Sequence, residues 1–153
     1  MKITICGSIA FYPEMEQLKS ELEIRSHEVA IPLLEKVAPE YGDDKKINFA
    51  KYIEENGGIE AFPPHDPIWI AKQGAINGHF RKIEWADAII VANHEKRGVE
   101  GYVGGNTLIE IGVAFYLKKK IYILSPISSD ISYKQEIYGM EPVLLDGNLD
   151  LIK

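Results

Sequence analysis

The run Asp87 to Asn93, DAIIVAN, constrains the fold of this chain more than any other segment. It is almost continuously apolar and rich in β-branched residues, the pattern of a strand covered on both faces. Strands of that kind sit inside parallel sheets, and a parallel pair needs a long crossover, usually a helix, between its strands. The rest of the chain should therefore supply alternating strands and helices.

It does. Lys2 to Cys6 is a short β-branched run stopped by Gly7 and Ser8. Pro13 suits a first helical turn, and Met15, Leu18 and Leu22 follow at helical spacing to about Ser26. His27 to Pro32 reads as a second strand, Lys120 to Ser125 as a later one, and Pro142 to Leu145 as a last edge strand. Ile68, Ile76, Phe80 and Ile83 predict a helix between about Asp66 and Trp85, with an interruption near Gly74 or Gly78. A further helix starts near Gly105 or Asn106. The fold class is α/β: a doubly wound, flavodoxin- or Rossmann-like parallel sheet of about five strands with helices on both faces.

Residues 33 to 67 break this rhythm. APEYGDD, ENGG and PPHDP surround only modest helical runs such as Lys45 to Glu55, so the segment reads as a lid or insertion within one domain of residues 1 to 153. That length suits one domain with a sizeable core.

Composition excludes several classes. The chain has 46% hydrophobic and 26% charged residues, as expected of a globular protein. Its 17 Lys plus Arg against 23 Asp plus Glu give a net charge of -6, which argues against nucleic acid as a partner. The basic run Lys118 to Lys120 is expected to close a helix and face water. No stretch approaches the roughly 20 apolar residues of a membrane span, and no secretory leader is evident. The single Cys6 excludes an internal disulfide and fits a reducing compartment, with the cytoplasm as default. His27, His65, His79 and His94 lack the spacings of zinc sites, so no metal is expected.

In doubly wound sheets ligands bind beyond the carboxyl ends of the strands, where the strand order reverses. That rule selects the loop Gly7 to Tyr12 and the loop Asn93 to Thr107. The first has one glycine where the dinucleotide fingerprint needs three, so a dinucleotide cofactor is not expected. Gly7 and Ser8 can still offer backbone N–H groups and a hydroxyl to a smaller ligand.

Downstream of the second loop, Glu110 interrupts Leu108, Ile109, Ile111, Val113, Ala114 and Phe115, where a carboxylate needs a reason. Two reasons compete. Thr107 to Glu110 matches the capping box T-x-x-E, with Glu110 folding back onto a free N–H. If the helix instead starts at Gly104 or Gly105, Glu110 points into the crevice one turn behind Asn106. His79 is likewise open, either a solvated helix residue or a proton donor.

ICGSI, HFRKIEWADAIIVAN and the glycine-rich loop running into NTLIEIGVAF together resemble the nucleoside 2-deoxyribosyltransferase superfamily, which includes 2'-deoxynucleoside 5'-monophosphate N-hydrolases. The match covers about half the chain. The resemblance implies cleavage of a nucleoside or nucleotide N-glycosidic bond, with Glu110 attacking the anomeric carbon of the sugar and the (deoxy)ribosyl group passing to water or to another base. It implies substrate contacts from Gly7, Ser8, Ile9, Phe11, Tyr12, Asn93, Gly104, Gly105 and Asn106, no cofactor, and a homo-oligomer. It places His79 where the family carries an Asp, eight residues before Asp87. The acid step thus falls to His79 or Asp87, or is lost in a non-catalytic nucleotide-binding or sensor domain. The hydrolases' phosphate-binding Ser is replaced by Gly104, leaving Lys96 and Arg97 to meet a phosphate.

Overall fold

The computed structural model describes residues 1–37 and 46–153. In chain order the elements are β1 (Lys2–Cys6), α1 (Tyr12–Ile24), β2 (Glu28–Ala30), β3 (Lys36–Val37), β4 (Lys46–Ile47), α2 (Phe49–Glu55), α3 (Ile68–Trp85), β5 (Ala88–Val91), α4 (Gly105–Tyr116), β6 (Lys120–Ile123), α5 (Lys134–Gly139) and β7 (Val143–Leu144). The chain divides into two compact units. One comprises Met1–Pro32 with Phe80–Lys153, and the other Leu33–His79.

The larger unit holds an all-parallel, five-stranded sheet in the order β2-β1-β5-β6-β7. From β1 the chain moves outward to β2, then returns to the other side of β1 for β5, β6 and β7. The order therefore reverses between β1 and β5. Side chains alternate across the pleat. Ile3 and Ile5 of β1 join Ala88 and Ile90 of β5 on one face, packed with Met15, Leu18 and Leu22 of α1. Cys6, Ile89, Val91, Ile121 and Ile123 line the opposite face with Ile111 and Ala114 of α4, Ile137 of α5 and Ile83 of α3. Both faces are covered, as the apolar DAIIVAN run required.

Two backbone approaches fix the sheet's carboxyl edge. A Cβ on Gly7 would stand 2.9 Å from the Ala92 carbonyl oxygen, and the Ala92 N–H donates to the Cys6 carbonyl at 2.8 Å. Gly101 has φ +64°, and a Cβ there would stand 1.9 Å from the Pro126 carbonyl oxygen. Only glycine fits that second position without backbone displacement.

The smaller unit packs Ile47, Ile68 and Ala71 with Phe49, Tyr52, Ile53, Phe62 and Trp69. Trp69 is partly buried against this cluster, its indole N–H donating to the Pro63 carbonyl at 2.7 Å. The insertion expected at 33–67 lies within this unit, whose boundary reaches His79. APEYGDD and Lys45 lie outside the described residues.

Three element boundaries differ from expectation. α3 runs unbroken through Gly74 and Gly78, because an isolated helical glycine costs only about 1 kcal/mol. α2 starts at Phe49 rather than Lys45. Asn48 caps it, its side chain accepting from the Lys51 N–H at 3.2 Å, while Lys46 and Ile47 pair with β3. The basic run lies beyond α4, which ends at Tyr116. Lys119 Nζ donates to the Glu84 carbonyl near the end of α3, and Lys120 Nζ to the Lys153 carbonyl, at 2.8 and 2.6 Å. Among the described residues, no helix is long and apolar enough to cross a membrane.

Candidate active site

The strand reversal places the Gly7–Phe11 loop beside the long loop after β5. Ser8 caps a single 3-10 turn, Ile9–Phe11, by accepting from the Ala10 N–H at 3.4 Å. Its Oγ also accepts from Lys96 Nζ at 2.8 Å, so a side chain of the second loop reaches the first. Lys96 projects from a tight hairpin in which Lys96 and Val99 exchange backbone hydrogen bonds of 3.0 and 3.1 Å. Arg97 and Gly98 between them both have positive φ, 54° and 81°, the signature of a type I′ turn. The Lys96 ammonium lies 5.1 Å from the Tyr102 ring centroid. Burial, and then the neighbouring Arg97 charge, lower the Lys96 pKa.

Glu110 is the buried carboxylate of this region, 3% exposed. α4 begins at Gly105, with Gly104 as an extended cap residue that makes no side-chain cap hydrogen bond. Thr107 is therefore inside the helix rather than at its cap, and the T-x-x-E sequence does not act as a capping box. Glu110 lies on the second turn, and Asn106, one turn earlier, donates through Nδ2 to Oε1 at 2.8 Å. The carboxylate also reaches the carboxyl end of β1, within 4.8 Å of the Cys6 sulfur. Burial pushes the Cys6 thiol well up, and the Glu110 charge and a hydrogen bond to its carboxylate push it further.

The other expected site residues separate into distinct environments. Gly7, Ser8 and Ile9 lie at the end of β1, and Gly104, Gly105 and Asn106 at the start of α4, so the two loops present them at the same edge of the sheet. Phe11 is only 4% exposed, its ring in the core and edge-on to His94 at 5.4 Å between centroids. A stacking role for Phe11 is not supported by that burial, whereas Tyr12 is half-buried at the first position of α1. A Cβ on Gly104 would meet the Tyr102 ring at 3.2 Å.

Asn93 and Asp87 both bond to backbone groups. Asn93 is fully buried, its Nδ2 donating to the Ser125 carbonyl at 2.7 Å and its Oδ1 accepting from the Ser125 N–H at 2.9 Å. Both polar ends tie the strand ends of β5 and β6 together. Asp87 precedes β5 and accepts from the Lys2 N–H at 2.8 Å. It stands at the amino edge of the sheet, about 20 Å of extended chain from Asn93, and is not brought together with Glu110. His79 is buried on α3, as the last residue of the smaller unit.

Sequence reasoning assigned Cys6 only to the core and missed its approach to Glu110. The signal was present in the alternation of β1: Ile3 and Ile5 share one face, so Cys6 must face α4.

No model of a known protein family matches this chain, and no curated protein matches it. Solved structures do. A CMP N-glycosidase from Clostridium botulinum gives a TM-score of 0.47 at 16% identity, covering 94% of this chain and 85% of that one. A 2-deoxyribosyltransferase from Bacillus psychrosaccharolyticus gives 0.55 at 17% identity, covering 92% and 82%. At such identity the likeness to the transferase shows the fold alone, and the chain has the α/β architecture seen in that 2-deoxyribosyltransferase.

Proposed function

We propose that this chain is an enzyme that cleaves the N-glycosidic bond of a nucleoside or nucleoside 5'-monophosphate, with Glu110 as nucleophile. One observation carries the reading. Glu110 is a buried carboxylate at the sheet's reversal crevice, with no capping task, oriented by an amide one turn away.

The chemistry follows from that placement. As the C–N bond breaks, its electron pair leaves with the base and positive charge builds at C1' of the sugar. A Glu110 oxygen bonds to C1', giving a glycosyl ester. Water, or the nitrogen of a second base, then attacks C1' and releases the carboxylate. Water makes the protein a hydrolase and a base makes it a transferase. The departing base needs a proton, and His79 is the group we assign to it, on its position eight residues before Asp87. Lys96, bonded to Ser8 beside the crevice, is the cation a 5'-phosphate would meet.

The test is a panel of ribo- and deoxyribonucleosides and their 5'-monophosphates, incubated with and without an acceptor base and analysed for free base by chromatography. Base release by the wild type, reduced at least about 10³-fold in Glu110→Gln, is expected. No release above the Glu110→Gln control on any substrate refutes the reading. Saturable nucleotide binding without product would instead establish the non-catalytic sensor.

A further inference from the structure

Cys6 is the chain's only cysteine, fully buried as the last residue of β1. It belongs to the apolar cluster between the sheet and α4. Ile3 and Ile5 fill the opposite face of the strand, while the position facing α4 carries a thiol whose sulfur lies within 4.8 Å of the Glu110 carboxylate. Asn106 holds Oε1 of the same carboxylate at 2.8 Å.

We infer that Cys6 is a positioning residue, whose S–H donates to the Glu110 carboxylate and, with Asn106, fixes the direction in which the carboxylate meets C1' of the sugar. The inference rests on the reading of Glu110 as nucleophile. A thiol suits the task because it is a weak donor. It can orient a carboxylate while withdrawing less charge from it than a hydroxyl would. It must also stay protonated, and burial together with the Glu110 charge keeps the thiol neutral far above ordinary pH. The strand supplies rigidity. Cys6 pairs with Val91 of β5, and its carbonyl accepts from the Ala92 N–H at 2.8 Å, so the donor is fixed by the backbone of the sheet.

Two measurements test this, one independent of turnover. The S–H stretching band falls where proteins otherwise absorb little in the infrared, and a single cysteine makes it unambiguous. In wild type it should lie at lower frequency than in Glu110→Met, where the acceptor is gone. An unchanged band refutes the hydrogen bond. In the base-release assay Cys6→Ala should lower kcat about tenfold with little change in KM, and Cys6→Ser should recover most of it. The ascending limb of the kcat pH profile should move to higher pH in Cys6→Ala, because losing a donor favours the protonated carboxylate. Melting temperatures of both variants, measured alongside, confirm that the assay reads folded protein. Wild-type kcat and pH profile in Cys6→Ala, or equal losses in Ala and Ser, overturn the positioning role. If wild type itself turns over no substrate, the nucleophile reading falls whatever the band shows. If the band shifts while Cys6→Ala turns over normally, only the role of Cys6 falls.

Discussion

Replacing Glu110 by Met should make the protein more stable and inactive. The side chain is 3% exposed and within 4.8 Å of the buried Cys6 sulfur. Met matches Glu closely in length and lack of branching, so the change leaves the volume nearly constant and exchanges a carboxylate for a thioether. Relief of carboxylate desolvation and gain of apolar contact contribute about 2–3 kcal/mol. Against this stand the hydrogen bond from Asn106, worth about 1 kcal/mol, whose exposed amide can turn to water, and the weaker bond from the Cys6 thiol, worth about 0.5 kcal/mol. The balance is a gain of about 0.5–1.5 kcal/mol, or a rise in Tm of about 1–6 °C for a chain of this size. Urea denaturation followed by circular dichroism at pH 7, with a thermal melt, reads the change. A chain that retains a carboxylate against its own stability does so for chemistry. Should Glu110→Met instead lose more than about 1 kcal/mol, Glu110 is a structural residue and that reasoning fails.

Gly101→Ala should be among the most damaging small substitutions. It forces alanine to φ +64° and places a Cβ 1.9 Å from the Pro126 carbonyl oxygen, so left-handed strain of about 1–2 kcal/mol adds to about 1–3 kcal/mol of overpacking. A measured loss under about 1 kcal/mol in urea denaturation would contradict it. Lys96→Met tests the electrostatics of the crevice. Burial and Arg97 set the folded Lys96 pKa below its ordinary 10.5, so the unfolded chain holds that proton more tightly. Lys96 therefore lowers stability at neutral pH, and the loss is recovered as pH rises from the depressed folded pKa towards 10.5. The variant should flatten that rise in denaturation series across the window, and identical slopes for both proteins would overturn the assignment.

The sheet was legible because its strands announce themselves. DAIIVAN has no polar face, and Lys2–Cys6 stops at a glycine that the close approach of Ala92 demands. α1 was legible for the same kind of reason, with Pro13 at its start and Met15, Leu18 and Leu22 on one stripe. β4 was hidden, because Lys46–Ile47 is too short for a period-2 signal and its helical neighbours read more strongly. Asp87 and Asn93 were singled out because they bracket β5, the most legible strand. Adjacency to a strand does not say which edge of the sheet a side chain serves, and backbone partners at Lys2 and Ser125 decide that. Cys6 was discounted as core, although the alternation that buries it also turns it towards α4.

The start of α4 determines what Glu110 can do, and the residues that set it lie far from the carboxylate. T-x-x-E is compatible with a helix beginning at either Gly105 or Thr107, and local propensity does not separate them. The loop ahead of the helix does. The Tyr102 N–H donates to the His94 carbonyl at 3.1 Å, Tyr133 donates its hydroxyl to the Val103 carbonyl, and Gly101 approaches the Pro126 backbone in a conformation open to glycine. These anchors hold 101–103 so that Gly104 becomes the cap and α4 starts one residue later. Asn106 then falls in the first turn and Glu110 in the second, where the helix carries the carboxylate to the end of β1. Loosening the anchors should shift the helix start towards Thr107 and return Glu110 to a capping role. The glycine at 101 thus acts on the site through the register of α4, without touching it.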